Sequence, residues 1–313
     1  MKLRTVCPVC AGQPEPVFSC RYDEPSLNRV LARVPSAKAE IARHVFAVDW
    51  CPACNLYYQQ LVMEDKDLAE LYRTLGGIQD IVNEIAAQKL HWFAHMAEEI
   101  LVMRQLLDRP CPKVLDFGSN WGKWSSMALA YGCDVHAVEV NPVAVEFCAS
   151  RGIKVLDRSQ LKAHRFDFIN VDQVLEHVAD PRGLAGELAH VLLPSGYMKW
   201  SVPGEKALPD KLRLAQRTRQ FSVLEADELD ALEPLVHINL FSNSALRALG
   251  RLVGLKPAQL PFFKWLGAGQ LWNMPRQFGR NITLPHKRWR GRGTYLWFQH
   301  DETGGAACPG RMT

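Results

Sequence analysis

The sequence predicts an α/β fold, a doubly wound parallel sheet preceded by a small cysteine-bearing module and a helical segment. Three observations carry that prediction. Between residues 112 and 203, short apolar runs alternate with capped, helix-patterned stretches, as parallel strands joined by crossover helices require. The first run, Val114-Leu115-Asp116-Phe117, enters a turn flanked by Gly118 and Gly122, and the next run carries Glu139 about twenty residues further on. Ahead of both stand two Cys-x-x-Cys pairs. A chain of 313 residues with 48% apolar content can build one such domain plus appendages, and none of its apolar runs is long enough to span a bilayer.

The amino-terminal module comes first. Cys7-Pro8-Val9-Cys10 and Cys51-Pro52-Ala53-Cys54 are matched knuckles separated by 40 residues, so a loop or short helix is expected between them. Met1-Lys2-Leu3-Arg4 leads into the first knuckle without the apolar core of a secretory signal, which points to a cytoplasmic chain. In a reducing compartment such pairs are metal ligands rather than disulfides, and four thiolates suit a tetrahedral zinc ion. A zinc site filled by four cysteines has no open position for catalysis and is structural. Residues 1–60 therefore read as a zinc-ribbon-like domain with Cys7, Cys10, Cys51 and Cys54 as ligands. Cys20, Cys111, Cys133, Cys148 and Cys308 show no ligand spacing, and Cys133 and Cys148 read as packed thiols.

Residues 61–109 follow as a helical lid or linker. Leu90, Phe93, Ala97, Ile100 and Leu101 recur at helical spacing and predict an amphipathic helix against the sheet. Tyr57, Tyr58 and Tyr72 either line that lid or belong to core and surface.

The sheet occupies residues 110–300. Gly118 and Gly122 allow a close backbone approach, and Glu139 is placed to accept hydrogen bonds from ribose hydroxyls, so the crevice is built for a nucleoside. A P-loop needs four residues between its glycines and then Lys-Ser or Lys-Thr. Here three intervene, and Lys123 precedes Trp124. A dinucleotide fingerprint needs glycine at the positions held by Asn120 and Lys123. Asn141-Pro142 opens a helix expected to stop near Gly152, by side-chain cap and first-turn proline. Ile153 to Leu156 is a third strand closed by Asp157, and Phe166 to Val171 a fourth, leading into Asp172-Gln173-Val174-Leu175-Glu176-His177-Val178. Asp180-Pro181 opens another helix, running to about Leu193. Pro194-Ser195-Gly196 turns into a fifth strand, Tyr197 to Val202.

Asp116-x-Gly118-x-x-x-Gly122 resembles the first motif of the class I S-adenosylmethionine-dependent methyltransferases, with Asn120 where many relatives carry glycine. Phe166 to Pro181 resembles the segment that follows their fourth strand. The resemblance covers roughly residues 112–203 and implies a Rossmann-like class I methyltransferase sheet. It also implies S-adenosylmethionine as cofactor. Asp116, Gly118, Ser119, Asn120 and Gly122 would form the first turn of its site, Glu139 would meet the ribose, Asp157 the adenine, and Asp172 and Gln173 the methionine part. For Asp157 a solvated helix cap is the competing reading, and for His177 a packed or hydrogen-bonded loop residue.

Charge is uneven despite a net of +4. Pro234 to His300 holds ten Lys or Arg and no acid, including His286-Lys287-Arg288-Trp289-Arg290, with Trp265, Trp272 and Trp297 interleaved. Such a face either attracts an anionic substrate or is a solvated surface balanced elsewhere. His237-Ile238-Asn239-Leu240-Phe241-Ser242 resembles a segment of zinc-ribbon sugar C-methyltransferases, in which the histidine is associated with proton abstraction. Val236 and Leu240 replace their Glu and Tyr, and the extra carboxyl-terminal domain of those enzymes is not in this chain. Ser242 is expected to cap a helix closing near Gly254. His237 is the first candidate base and His177 the second. The expected activity is methyl transfer to a small, anionic metabolite or sugar-type acceptor, without membrane attachment. The alternatives are a nucleic-acid methyltransferase and a non-catalytic partner protein that keeps the cofactor fold. Residues 301–313 read as a flexible tail.

Overall fold

Strands with apolar residues on both faces need helices on both sides, and short capped links between them leave only crossover connections. The structure, a computed structural model, describes residues 1–32, 38–63, 90–204, 207–219, 231–259 and 295–301. Tyr72, Trp265, Trp272, Trp289, the cluster from His286 to Arg292 and the tail beyond residue 301 lie outside the described residues.

In chain order, the amino-terminal strands are β1 (Lys2–Leu3), β2 (Glu15–Arg21), β3 (Val45–Cys51), β4 (Leu56–Gln59) and β5 (Leu61–Val62), with short helices α1 (Asn28–Ala32) and α2 (Lys38–Ile41) inserted between the knuckles. Helix α3 (Leu90–Leu107) precedes β6 (Lys113–Phe117), α4 (Lys123–Ala130), β7 (Asp134–Val138), α5 (Pro142–Ser150) and β8 (Lys154–Val155). Then come β9 (Phe166–Asp172), α6 (Pro181–Val191), β10 (Leu192–Ser201) and α7 (Leu208–Thr218). The last elements are β11 (Asn239–Phe241), α8 (Asn243–Leu252), β12 (Leu255–Pro257) and β13 (Tyr295–His300).

The central sheet has seven strands in the order β12-β13-β10-β9-β6-β7-β8. β10, β9, β6, β7 and β8 run parallel, and β13 lies antiparallel between β10 and β12. This is the Rossmann-like α/β sheet that the alternation predicts. The helix starts are those expected from sequence. Asn141 accepts from the Val143 N–H, Asp180 from Gly183 and Ser242 from Ala245, with proline in the first turn at 142 and 181. The fifth parallel strand begins earlier than expected. Pro194-Ser195-Gly196 is not a turn ahead of the strand but sits within β10, where the register to β9 shifts between Leu192 and Tyr197.

One expectation about packing changes, and for Tyr57 and Tyr58 the core reading holds. In α3 the buried face carries Ala94, Ile100, Val102 and Met103, whereas Leu101 is 39% exposed. Tyr57 and Tyr58 are buried in β4. Tyr57 takes a hydrogen bond from Arg213 on its hydroxyl, and Tyr58 lies under the Arg4 guanidinium. The amino-terminal sheet has the order β11-β4-β3-β2, so its fourth strand comes from the carboxyl-terminal part of the chain. Trp297 is a core residue packed on Phe168, with ring centroids 5.1 Å apart. Among the described residues no helix is long and apolar enough to cross a membrane.

Candidate active site

The turn after β6 and the end of β7 form the first wall of the site. Gly118 and Gly122 have φ of +74° and +62°, a region that L side chains avoid. A Cβ on Gly118 would stand 2.5 Å from Val174 Cγ2, and one on Gly122 2.8 Å from Ile153 Cδ1 and 2.9 Å from Cys148 Sγ. Each glycine is therefore demanded by the protein's own packing. Asn120 takes the left-handed conformation at φ +48°, as its amide side chain permits. Glu139 is fixed by three backbone donors: Asn120 N–H to Oε2 at 2.7 Å, and Val140 and Asn141 N–H to Oε1 at 2.8 Å each. Ser119 is buried, with Oγ 4.0 Å from the Cys148 thiol.

Asp116 lies behind the turn. It is buried, accepting from Ser125 Oγ at 2.6 Å and Asn170 Nδ2 at 2.8 Å, and so ties the start of α4 to β9. Burial pushes its carboxyl up to about 6, against the pull of those two bonds. Asp157 caps a short 3-10 turn, accepting from Ser159 while Gln160 Oε1 accepts from the Asp157 N–H. It is an exposed capping-box residue, and the bonds from Ser159 hold its carboxyl below its usual range.

At the end of β9, Gln173 adopts φ +55° and its N–H donates to the Ser201 carbonyl at 2.8 Å. Asp172 is 3.5 Å from Lys199 Nζ, which is itself buried and 2.9 Å from Glu99 Oε2 on α3. His95 Nε2 approaches the other Glu99 oxygen at 3.1 Å. Burial opposes ionisation of Glu99, but Lys199 and His95 outweigh it and hold the carboxyl at about 2. A line of charge thus runs from the helix before the sheet to the carboxyl end of β9. Sequence reasoning missed Glu99 and Lys199. The available signal was a lysine inside the otherwise apolar run Tyr197-Met198-Lys199-Trp200.

The two candidate bases are brought together. Leu175–His177 form one turn of 3-10 helix, and the rings of His177 and His237 meet with centroids 4.6 Å apart at 64°. His177 Nδ1 contacts the Val236 carbonyl at 3.0 Å, and Nε2 faces Glu176 Oε1 at 3.9 Å. Burial, with His237 alongside, lowers His177 to about 4. Burial also raises Glu176 to about 8, against a smaller pull from its own backbone N–H and with a small push from the Asp172 charge. This cluster is held by a network absent from the sequence reading. Asn239 Nδ2 donates to the Leu175 and Val178 carbonyls, and Gln59 Nε2 donates to the His237 carbonyl at 2.9 Å. Arg4 binds the Gln59 and Ile238 carbonyls and Asn239 Oδ1.

A family model described as a methyltransferase domain matches residues 87–260, more than half of the chain. The chain belongs to this methyltransferase family. By family and by sheet, this methyltransferase is of the class I, S-adenosylmethionine-dependent kind. Among curated proteins nothing matches it significantly. Among solved structures it is similar to a 1,6-didemethyltoxoflavin-N1-methyltransferase from Burkholderia thailandensis bound to 1,6-didemethyltoxoflavin and S-adenosylhomocysteine. That match has 17% identity, 82% of this chain, 96% of the other and a TM-score of 0.43. It is also similar to a plantazolicin methyltransferase in complex with a monoazolic desmethylPZN analog and S-adenosylhomocysteine (13% identity, 75% and 94% coverage, TM-score 0.46). For an S-adenosylmethionine-bound aminopentose methyltransferase from Micromonospora echinaspora the identity is 15% and the TM-score 0.33. The methyltransferase aligns over 41% of its own length and spans 58% of that chain.

The four knuckle cysteines of the methyltransferase converge, with their sulfurs all within 4.8 Å of one another. Cys7 and Cys54 lie 3.5 Å apart, and Cys10 and Cys51 3.4 Å. A tetrahedral ion at about 2.3 Å from each sulfur would set them roughly 3.8 Å apart, so the cluster could hold zinc with small adjustments. Both knuckles close alike, the N–H of left-handed Ala11 bonding the Cys7 carbonyl and that of Asn55 the Cys51 carbonyl. Cys133 and Cys148 are buried free thiols.

Proposed function

We propose that this methyltransferase transfers the methyl group of S-adenosylmethionine to a small, anionic metabolite or sugar-type acceptor held beside His177 and His237. The observation that carries the reading is the fixed Glu139 carboxylate, caged by the Asn120, Val140 and Asn141 N–H groups at the mouth of the glycine turn. In it, Glu139 meets the ribose hydroxyls, and Ser119 and Asn120 border the nucleoside. Asp157 stands by the adenine, and Asp172 and Gln173 meet the methionine part. Asp116, Gly118 and Gly122 shape the turn from behind.

The sulfonium makes the methyl group electrophilic, so the protein's main task is to place the acceptor in line at about 3–3.5 Å. Where the acceptor is a hydroxyl, a proton must leave as the methyl arrives. His237 is the group placed to take it, since burial makes His177 a weak base with one nitrogen tied to Val236. Zinc in the Cys7, Cys10, Cys51, Cys54 cluster is structural in this reading. It fastens the sheet whose residues Gln59 and Asn239, with Arg4 bonded to both, hold the histidines.

The test is calorimetric titration with S-adenosylmethionine and S-adenosylhomocysteine, with Glu139→Ala alongside. Micromolar binding that disappears in the variant supports the reading. A folded, zinc-loaded protein that binds neither ligand sinks it and turns attention to a partner-protein role.

A further inference from the structure

Glu176 is fully buried, and neither of its carboxylate oxygens makes a hydrogen bond to any other described residue. A carboxylate in that setting demands a bound proton or a counter-cation. The ligand atoms that converge with it are imidazole nitrogens: one atom each from Glu176, His177 and His237 lies within 4.8 Å of the others. The tautomer of His177 follows from its contacts. A carbonyl can only accept, so the Nδ1 that meets Val236 O at 3.0 Å carries the hydrogen. Nε2 then presents its lone pair toward Glu176 Oε1, 3.9 Å away and beyond hydrogen-bond reach. Anchoring one ring nitrogen on a backbone carbonyl is how proteins orient a histidine whose other nitrogen binds a metal.

We propose that Glu176, His177 and His237 form a binding site for a divalent first-row cation, separate from the cysteine cluster. The donor set of two imidazoles and one carboxylate leaves coordination positions open, unlike four thiolates. Bonds of about 2.0–2.2 Å would draw the ligand atoms to roughly 3–3.5 Å from one another, within reach of side-chain rotation. The frame is already set. Asn239 ties down the carbonyls of the first residue of the 3-10 turn and of the residue after it, and Gln59 holds the His237 carbonyl. The His177 side chain is 19% exposed, so the cluster is reached from solvent at that ring.

The cation selects the acceptor class: a molecule with a hydroxyl, alone or beside a second oxygen, that can enter the open positions. This consequence rests on the methyl-transfer reading; the cation site does not. The bound hydroxyl releases its proton to solvent. Its oxygen then forms the new O–CH3 bond as the S–CH3 bond breaks, the electron pair passing to sulfur and leaving S-adenosylhomocysteine. His237 then serves as a ligand and not as a free base.

The test uses the full chain with zinc in the cysteine cluster, titrated with Mn²⁺ and read by the electron paramagnetic resonance signal of the free ion. One Mn²⁺ per chain in addition to the zinc is expected. Glu176→Gln and His237→Ala should each weaken uptake about 100-fold or more, with zinc content and S-adenosylhomocysteine binding retained. The His237 variant guards against a folding defect from altering the buried Glu176. No Mn²⁺ uptake at millimolar concentration by folded, zinc-loaded protein overturns the proposal, as does uptake that survives both variants. Uptake by a protein that cannot bind S-adenosylhomocysteine supports the cation site and defeats the methyl-transfer reading instead.

Discussion

Gly118→Ala is expected to destabilise the protein by two separable amounts. The first is backbone strain: φ is +74°, and holding an L residue in the left-handed region costs about 1–2 kcal/mol. The second is steric. The new Cβ would stand 2.5 Å from Val174 Cγ2, about 1 Å inside ordinary contact, and a β-branched side chain is stiff at χ1. Overpacking of that kind costs about 1–3 kcal/mol. The sum is on the order of 2–5 kcal/mol, or a fall in Tm of about 5–15 °C. Urea unfolding of the wild type, Gly118→Ala, Val174→Ala and the double variant closes a thermodynamic cycle. Val174→Ala removes the colliding methyl, so the double variant should show about 1–3 kcal/mol of favourable coupling and retain the strain cost. A neutral single variant, or additive costs with no coupling, would show that the turn is not packed as described.

Three further outcomes are expected. Asp116 titrates near 3.8 unfolded and at about 6 folded, so the folded state keeps a proton that the unfolded state has lost between those values. Its contribution to stability is full below pH ~4 and falls as pH rises to ~6, by on the order of 3 kcal/mol. The urea stability of Asp116→Asn measured from pH 4 to 7 should lack that part of the slope, and parallel profiles refute the assignment. Lys199→Met strands a buried Glu99 carboxylate and should cost roughly 3–5 kcal/mol, most of it recovered in Glu99→Met with Lys199→Met. A double variant no better than the single one would show the pair is not coupled. Arg4→Met removes the donors to Gln59 O and Asn239 Oδ1, while Ile238 O keeps its bond from the Gln59 N–H. A loss of about 2–4 kcal/mol and faster amide exchange at 175–178 should follow, S-adenosylhomocysteine binding remaining. Unchanged exchange there would disconnect the amino-terminal sheet from the histidine pair.

The parts of this structure legible in the sequence are those specified locally. Asn141-Pro142, Asp180-Pro181 and Ser242 announce helix starts because cap and proline act within one turn. Gly118 and Gly122 announce the turn because few other residues tolerate its backbone. The cap reading of Asp157 has the same local ground, and the structure adds Gln160 as its capping-box partner. What could not be read depends on partners far apart in the chain. Glu99 meets Lys199 and Arg4 meets Asn239 only after folding. No periodicity records that β11 pairs with β4. In α3 the apolar spacing placed Leu101 inside, but the helix instead turns Glu99 inward to meet the buried ammonium, and that rotation leaves Leu101 toward solvent.

The pairing of β11 with β4 also fixes an order of assembly. While the chain is being made, the knuckles and β2 to β4 emerge first, and β4 then has an open edge until Asn239–Phe241 has been translated and docked. In that interval the edge is a template for any other extended segment, from the same chain or another. The strand that protects it also carries Asn239 and begins two residues after His237, so the step that closes this hazard seats the histidine as well. A molecule arrested before this step would lack the Asn239 bonds to the Leu175 and Val178 carbonyls, and would be the form most exposed to aggregation.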